Sequence, residues 1–166
     1  MKIVIITGMS GAGKSQAVKV FEDMGYYVVD NLPPNLLGKF VEVLTTAEGR
    51  INDAALVMDI RSGKFSVGIE ESIDELIAKN IAFEILFLDA DDAAIVRRQE
   101  SVRRPLPLQG EHGLLDGAER ERRMLATLRA SADLVIDTSN LNVHQLSDRV
   151  AHAFGGDDDP DLGAGD

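Results

Sequence analysis

Residues 8–15 read Gly8-Met9-Ser10-Gly11-Ala12-Gly13-Lys14-Ser15, and they follow the apolar run Ile3-Val4-Ile5-Ile6. This is the complete G-x-x-x-x-G-K-[ST] pattern, placed between a predicted strand and a stretch compatible with a helix. Gly8 and Gly13 permit backbone angles that a side chain would forbid, and Gly11 lets the main chain curl closely around an anion. The turn then points successive N–H groups and the start of the next helix at one concavity. The pattern predicts a phosphate-binding loop.

Two side chains at the end of this loop carry the expected chemistry. Lys14 is long enough to reach the β- and γ-phosphates of a nucleotide, and the Ser15 hydroxyl is a ligand for Mg²⁺. The sequence therefore predicts binding of a nucleoside triphosphate with Mg²⁺. ATP and GTP are both compatible, because a guanine-reading Asn-Lys-x-Asp motif is absent. The predicted nucleotide-binding residues of the loop are Gly8, Met9, Ser10, Gly11, Ala12, Gly13, Lys14 and Ser15.

The rest of the chain alternates strand-like and helix-like segments. Short apolar runs predict buried strands, at Lys2–Thr7, Tyr26–Asp30, Ala54–Asp59, Phe83–Asp89 and Leu134–Asp137. Apolar residues at helical spacing predict helices, at Lys14–Met24, from Pro33 to Leu44, around Ile69–Ile77, and at Asp92–Val102, Leu115–Ser131 and Val143–Val150. This order predicts an α/β fold over residues 1–154: one doubly wound, mostly parallel five-stranded sheet of the P-loop NTPase or nucleoside-monophosphate-kinase type.

Two aspartates that close predicted strands compete for a place beside Mg²⁺. Asp59 follows Leu56-Val57-Met58, and an apolar strand ending in an acid is the second element that holds Mg²⁺ in phosphate-loop proteins, directly or through water. Asp89 also closes an apolar strand, but it stands just before the helix predicted at residue 92. We therefore assign Asp59 to Mg²⁺ beside Ser15 and interpret Asp89 as the N-cap of that helix.

Asp30 closes the second predicted strand, ahead of Asn31-Leu32-Pro33-Pro34. At this sheet edge a carboxylate could orient a phosphoryl acceptor, act as a general base or order water around Mg²⁺. Asp30 and Asn31 are equally suited to closing a turn before the two prolines. Both interpretations stay open, and Asp30 joins Lys14 and Asp59 as a candidate catalytic residue.

Residues 103–113 form an irregular stretch with two prolines, and seven arginines lie before and after its proline-containing part. Arginine-rich flanks around a loop resemble a lid that closes over transferring phosphates. Pairing of exposed helical arginines with Glu100, Glu119 and Glu121 is the competing explanation for most of them. We expect one or two of the seven to contact nucleotide, and the pattern does not select which among Arg97, Arg98, Arg103, Arg104, Arg120, Arg122 and Arg123.

Composition narrows the class of protein. The chain has 166 residues, of which 45% are hydrophobic and 27% charged, and it has no cysteine, which excludes disulfides and cysteine-based metal chemistry. No apolar run approaches the ~20 residues needed to cross a bilayer. We expect a cytoplasmic protein, because the cytoplasm is the natural compartment for a protein that uses ATP or GTP. The net charge of −11 argues against a nonspecific nucleic-acid surface. Residues 155–166 hold five of the acids and no base, and we expect a disordered tail or a shortened linker there.

Several segments together resemble a known family. The chain is similar to the RapZ/YvcJ family of P-loop nucleotide-binding proteins, which includes the bacterial RNase adapter protein, and the resemblance runs from the first residue to about Phe154. The segments Asp30–Pro34 and Asp137–Leu141 make it specific. The full set of matching segments is Gly8–Ser15, Glu22–Tyr27, Val29–Pro34, Met58–Ser62, Phe87–Ala90 and Ala132–Leu141.

The resemblance implies binding and slow hydrolysis of ATP and GTP. In the family the phosphate loop is the ATP segment, and the segment matching Asp59-Ile60-Arg61-Ser62 is assigned to GTP. Ser62 replaces the asparagine that is common there, which weakens a base-specific role. The adapter protein also binds small regulatory RNA and an aminosugar phosphate, mainly through a C-terminal domain that this chain lacks. RNA binding is therefore not carried over, and we expect either a natural short form or an excised N-terminal domain.

Two functions fit these expectations best. One is a regulatory, RNase-adapter-like module with weak NTPase activity, whose bound nucleotide biases a partner protein or the missing C-terminal domain. The other is a small-molecule or nucleotide kinase that transfers the γ-phosphoryl group to an unknown acceptor near Asp30. A third, weaker possibility is an interaction scaffold with a vestigial nucleotide site.

Overall fold

Parallel strands and their connecting helices make up the fold. The computed structural model describes residues 2–9, 11–46, 53–58, 69–102 and 114–155. Within these residues the strands β1 (Lys2–Gly8), β2 (Tyr27–Val29), β3 (Asp53–Val57), β4 (Glu84–Asp89) and β5 (Leu134–Asp137) form one sheet in the order β2-β3-β1-β4-β5. The helices are α1 (Lys14–Asp23), α2 (Leu37–Thr45), α3 (Ile69–Ala78), α4 (Asp92–Val102), α5 (Leu114–Ser131) and α6 (Val143–Phe154). The predicted doubly wound parallel sheet is confirmed.

Strand β1 lies at the centre of the sheet. Its side chains from Ile3 to Ile6 are at most 2% exposed, because strands flank it on both sides and helices cover both faces. Ile5 pairs in register with Leu56 of β3 and with Ile85 of β4. The phosphate loop that follows β1 therefore lies at the middle of the carboxyl edge, where open α/β sheets bind their ligands.

The helices divide between the two faces of the sheet. The β1-to-β2 connection crosses the sheet in the opposite direction to the later connections, so right-handed crossovers place α1 on the face opposite α2 and α3. Helix α1 packs against α6, and α2 packs against α3. Phe21 of α1 lies 4.9 Å from the ring of Tyr26 and 5.3 Å from that of Phe154.

Most observed boundaries lie within two residues of the predicted ones. Tyr26, predicted in a strand, lies before β2, and its hydroxyl donates to the carbonyl oxygen of Phe154 over 3.2 Å. Helix α6 runs to Phe154 rather than Val150, because Phe154 packs onto Phe21 and extends the apolar stripe by one turn. Residues 103–113 and 156–166, predicted to be an irregular loop and a tail, lie outside the described residues.

Candidate functional site

The phosphate loop leaves β1 at a glycine that no other residue could replace without strain. Gly8 has φ +149°, and a Cβ built there would lie 2.2 Å from the carbonyl oxygen of Leu88 on β4. The next residue fixes the turn, since the N–H of Met9 donates to that same oxygen over 3.0 Å. The side chains of Met9 and Ala12 are buried, so these residues offer only their backbone to a ligand.

Helix α1 starts without a side-chain cap. Gly13 is its N-cap, in a left-handed conformation with φ +105°, and no described side chain accepts a hydrogen bond from the first turn of the helix. A Cβ on Gly13 would lie 2.7 Å from Leu146 Cδ2, so a side chain there would require Leu146 to move, in addition to the strain of the positive φ. The uncapped first-turn N–H groups and the positive end of the helix dipole form an anion site.

Helix α6, in contrast to α1, begins with a complete capping box. Asn142 is its N-cap, and the Asn142 side chain accepts a hydrogen bond of 2.8 Å from the N–H of Gln145. The Gln145 side chain accepts one of 2.9 Å from the N–H of Asn142. This capping box occupies the donors that an anion would need, so of the two helix starts only that of α1 is open to a phosphate.

Lys14 lies folded back over the loop. Its ammonium group donates to the carbonyl oxygens of Gly8, over 2.9 Å, and of Met9, over 3.1 Å. These bonds keep the cation at the concave side of the loop beside the uncapped helix start. The structure thus places Lys14 and Ser15 beside the loop glycines Gly8, Gly11 and Gly13.

Two residues from distant parts of the chain bind the outer side of the loop. Arg98 of α4 donates from Nη1 to the carbonyl oxygen of Gly11 over 2.8 Å. Thr138, which follows β5 and is only 2% exposed, donates from its hydroxyl to the carbonyl oxygen of Ala12 over 2.9 Å. Arg98 also donates to the Thr138 hydroxyl, over 3.2 Å, and to the Thr138 carbonyl oxygen. Burial lowers the pKa of Arg98.

Sequence reasoning found one member of this pair and missed the other. Arg98 belonged to the predicted arginine set, but the pattern did not separate it from its neighbours. Thr138 was recognised only as part of the Asp137–Leu141 segment that carried the family resemblance. A polar residue directly after a buried strand was the available signal for it.

A cavity of about 210 Å³ adjoins the loop. Its polar wall includes Arg98 and Thr138, and its apolar wall comes from the start of α6 and the residues before it. The lining residues are Gly11, Ala12, Gly13, Gln16, Arg98, Thr138, Leu141, Asn142, Val143 and Leu146.

Asp89 has a different role from the one predicted. The N-cap of α4 is Asp91, whose Oδ1 accepts from the N–H of Ala94 over 2.8 Å. Asp89 instead forms ion pairs of 2.9 Å with Arg122 and with Arg129, both on α5. Interpreting Asp89 as the cap was therefore wrong, because the strand extends to Asp89 and the helix starts after the next acid.

Arg122 connects this carboxylate to the start of α4. Its Nη2 donates to Asp92 Oδ1 over 2.7 Å and to the carbonyl oxygen of Ala90 over 2.8 Å. Burial disfavours its charged form, but the hydrogen bonds to Asp92 and Asp89 outweigh burial and raise the pKa of Arg122. Its partners are thus aspartates of β4 and α4, not the glutamates expected from helical spacing.

Asp30 lies apart from the phosphate loop. It is exposed after β2, the edge strand, and two strand spacings of about 4.8 Å each separate β2 from β1. Asp30 Oδ1 accepts from the N–H of Asn31 over 2.8 Å, and Asn31 adopts a left-handed φ of +58°. The chain therefore bends at Asn31 before the prolines, and Asp30 lies at the same carboxyl edge of the sheet as the loop.

Other predicted residues lie outside the described residues. These are Ser10 of the loop, the segment Asp59, Ile60, Arg61 and Ser62, and the arginines Arg103 and Arg104. Within the part of the chain that the structure describes, no group of three or more histidines, cysteines or acids is arranged to bind a metal ion. None of its helices has the length and apolar character of a membrane span.

Comparison with known proteins places the chain in a family. Residues 1–158 match the family model described as the RapZ-like N-terminal domain. The chain belongs to this family. The match covers the phosphate loop, the whole described sheet and α6, so the resemblance drawn from the sequence is confirmed.

Curated relatives are similar over nearly the whole chain. A nucleotide-binding protein of Streptomyces avermitilis is 49% identical over 163 residues, which are 98% of this chain and 54% of that protein. One of Nocardioides sp. is 52% identical over 154 residues, 93% of this chain and 51% of that protein. This member of the RapZ-like family thus spans about half the length of the curated relatives it matches.

Solved structures show the same fold at low identity. The shikimate kinase of Acinetobacter baumannii, in complex with shikimate, aligns with a TM-score of 0.59 and 18% identity over 93% of each chain. The tunicamycin resistance protein of Deinococcus radiodurans aligns with a TM-score of 0.60 and 13% identity over 93% of this chain and 96% of that one. These likenesses confirm the P-loop kinase-like α/β fold.

Proposed function

We propose that this domain binds Mg²⁺-bound ATP or GTP in the cytoplasm, hydrolyses it slowly and acts as a regulatory module of a larger assembly. The observation that carries the proposal is the uncapped start of α1 beneath Lys14. A helix start with unsatisfied N–H groups, a left-handed glycine and a nearby ammonium group is suited to a polyphosphate. The family's curated relatives are named nucleotide-binding proteins, which supports the same ligand class.

On binding, the triphosphate would replace hydrogen bonds that Lys14 now makes within the loop. The Lys14 ammonium group donates to two loop carbonyls, and we propose that it transfers these donors to the β- and γ-phosphate oxygens. The exchange replaces bonds from the ammonium group to neutral carbonyl oxygens by bonds to negatively charged oxygens, which adds the attraction between opposite charges. The loop residues Gly8–Ser15, including Ser10, form the proposed phosphate site.

The cavity beside the loop suits the nucleoside end of the ligand. Leu141, Val143 and Leu146 provide an apolar wall, and Arg98 and Thr138 line the polar side next to the loop. An apolar wall with a few polar groups beside it fits a flat aromatic base. The cavity does not select between adenine and guanine, so the proposal includes both, with Asp59–Ser62 kept as the segment that the family assigns to GTP.

Ser15 is suited to hold a magnesium ion at the loop. Ser15 lies in the first turn of α1, exposed beside the uncapped N–H groups, and hydroxyl and carboxylate oxygens are the ligands that Mg²⁺ prefers. Ser15 and Asp59 would hold the ion. When bound, Mg²⁺ neutralises charge on the β- and γ-phosphate oxygens.

Slow hydrolysis is consistent with the placement of the acids. Asp30, the candidate general base within the described residues, lies about 10 Å from β1 across the sheet. Among the described residues the candidate base is thus on the edge strand and not beside Lys14, which supports a low rate of hydrolysis and a role as a regulatory switch.

The same placement supports a second candidate, transfer of the γ-phosphoryl group to an acceptor. A carboxylate exposed at the carboxyl edge, next to a strained Asn31, is suited to orienting an acceptor hydroxyl. In this kinase hypothesis Asp30 acts on a small molecule bound between β2 and the loop.

One experiment tests both candidates. The binding of Mg·ATP and Mg·GTP is measured by calorimetry, and steady-state hydrolysis is followed with and without a panel of metabolites bearing hydroxyl or phosphate groups. We expect micromolar to submillimolar binding and a low basal rate that the panel does not raise. Acceptor-dependent release of ADP or GDP would establish the kinase instead, and no binding at millimolar nucleotide would refute both.

A further inference from the structure

We infer that Arg98 and Thr138 are positioning residues that keep the phosphate loop in its anion-binding shape. They bind the carbonyl oxygens of Gly11 and Ala12 on the outer side of the loop. The inference rests on the proposed function, because the ligand that the shape would serve is the triphosphate.

Peptide geometry explains why fixing these oxygens matters. The C=O and N–H groups of a trans peptide point in opposite directions. Since the Ala12 carbonyl points to Thr138, the N–H of Gly13 points the other way, toward the concave side of the loop. The Gly11 carbonyl points to Arg98, and the N–H of Ala12 accordingly points inward, where it donates to the Met9 carbonyl oxygen over 3.1 Å. A carbonyl turned inward would repel a phosphate and remove a donor at the same time.

Thr138 is itself held in place by the sheet. Its N–H donates to the carbonyl oxygen of Asp89 over 2.8 Å, and its hydroxyl lies 3.1 Å from the same oxygen. The side chain is buried, so its hydroxyl does not contribute to solubility. The ends of β4 and β5 therefore provide a rigid support for the loop, as preorganised binding sites require.

Arg98 adds charge as well as geometry. In the described part of the chain its guanidinium bonds to neutral oxygens and to no carboxylate, whereas Arg122 is paired with Asp89 and Asp92. Asp91 and Asp137 lie close enough to favour the charged form of Arg98 without bonding to it, so its donors hold the loop and its charge adds to the positive potential there. Lysine would keep this charge but lose the planar fork that reaches Gly11 and Thr138 together.

The test compares two ligands on variants of the full chain. Mg·ATP has a base and Mg·tripolyphosphate has none, so a change in the loop affects both affinities, whereas a lost base contact affects only the first. Thr138→Val removes the hydroxyl at nearly constant shape, and we expect both dissociation constants to rise about five- to tenfold in parallel. Thr138→Ser restores the donor and should recover most of the loss.

Arg98 is tested with the same pair of ligands. We expect Arg98→Met to weaken both about tenfold or more, and Arg98→Lys to fall between it and the parent chain. Arg97→Met is the matched control, since Arg97 is exposed on the same helix and the charge change is identical. Thermal unfolding of each unliganded variant separates loss of binding from loss of fold. If Thr138→Val does not fold, the comparison of Arg98→Lys with Arg98→Met tests the inference instead.

Two outcomes would overturn the inference while leaving the proposed function intact. One is weaker binding of Mg·ATP with unchanged binding of tripolyphosphate, which would make Arg98 a base contact. The other is a lower unfolding temperature with both affinities unchanged, which would make the pair structural. Failure of the parent chain to bind either ligand would instead refute the proposed function itself.

Discussion

The hydroxyl of Thr138 donates a 2.9 Å hydrogen bond to the carbonyl oxygen of Ala12, although 126 residues separate the two along the chain. The backbone N–H of Thr138 binds the carbonyl oxygen of Asp89 at the end of β4. The phosphate loop after β1 is thus joined to the ends of β4 and β5. Because three strand ends meet here, the shape of the site depends on the register of the whole sheet.

Lys14→Ala should weaken nucleotide binding strongly. The variant removes the ammonium group that we assign to the β- and γ-phosphates, and hydrogen bonds to charged groups contribute about 1.5–3 kcal/mol. We expect the dissociation constant of Mg·ATP, measured by calorimetry, to rise roughly ten- to a hundredfold. Lys19→Ala, on the exposed side of the same helix, is the control and should change it little. Equal affinities in the two variants would favour the scaffold with a vestigial site.

Gly8→Ala should destabilise the fold far more than Gly25→Ala. Both glycines have positive φ, +149° and +90°, so both variants carry backbone strain of about 1–2 kcal/mol. A Cβ on Gly25 meets nothing within 4 Å, whereas one on Gly8 would lie 2.2 Å from the Leu88 carbonyl oxygen. The additional loss of stability in Gly8→Ala therefore measures the cost of separating β1 from β4 where they approach closely.

Urea denaturation of the two glycine variants measures this difference. We expect the free energy of unfolding to fall at least twice as much in Gly8→Ala as in Gly25→Ala. Similar losses in both would mean that strain alone requires glycine at position 8, and that β4 can move away from β1 at little cost.

Local patterns in the sequence predicted the sheet and the loop well, and for a physical reason. A buried parallel strand such as β4 is a short apolar run, and a phosphate loop needs glycine at fixed spacings, so each is visible within about ten residues. The partners of Asp89 are not local. They lie 33 and 40 residues further on, in Arg122 and Arg129.

The outer side of the loop could not be predicted for the same reason. Arg98 reaches Gly11 across 87 residues, and nothing near Arg98 in the sequence separates it from Arg97. The helix register decides which of two adjacent arginines faces the loop. Such a choice follows only from how α4 packs, which the local pattern does not contain.

Arg122→Met should cost more stability than Lys79→Met. The two cations are equally exposed, at 36% of the side chain, but Asp89 beside Arg122 is 10% exposed and Glu42 beside Lys79 is 54% exposed. Removing Arg122 leaves a buried carboxylate with one of its two arginines, for which we expect a loss of about 2 kcal/mol. The exposed pair of Lys79 is screened by water, so its loss should be hardly measurable.

Chemical denaturation of these two variants in low and high salt gives the comparison. High salt should reduce any effect of Lys79→Met and leave most of the effect of Arg122→Met, since buried pairs are screened less. A small, salt-sensitive loss for Arg122→Met would show that Arg122 contributes little to anchoring α5 to Asp89.

Ser139→Ala should change the pH dependence of stability through Asp137. The Ser139 hydroxyl and N–H donate to Asp137 Oδ1 over 2.6 and 2.9 Å, and against the effect of burial they lower the pKa of Asp137 below its ordinary 3.8. The folded protein therefore binds this proton less readily than the unfolded chain. The resulting stabilisation is fully present above the unfolded pKa and is lost as pH falls through the lower folded pKa.

The free energy of unfolding as a function of pH, with NMR titration of the Asp137 carboxyl, measures this linkage. We expect the variant to raise the pKa of Asp137, and its deficit in stability relative to the parent chain to be constant above about pH 5 and to shrink below pH 3.8. Part of the deficit should persist at low pH, because the Ser139 hydroxyl also accepts a 2.7 Å bond from the N–H of Asp91. Ser147→Ala is the control: that hydroxyl donates to the Val143 carbonyl, so its deficit should not depend on pH. A Ser139→Ala deficit that is equally independent of pH would contradict the assigned role of the hydroxyl.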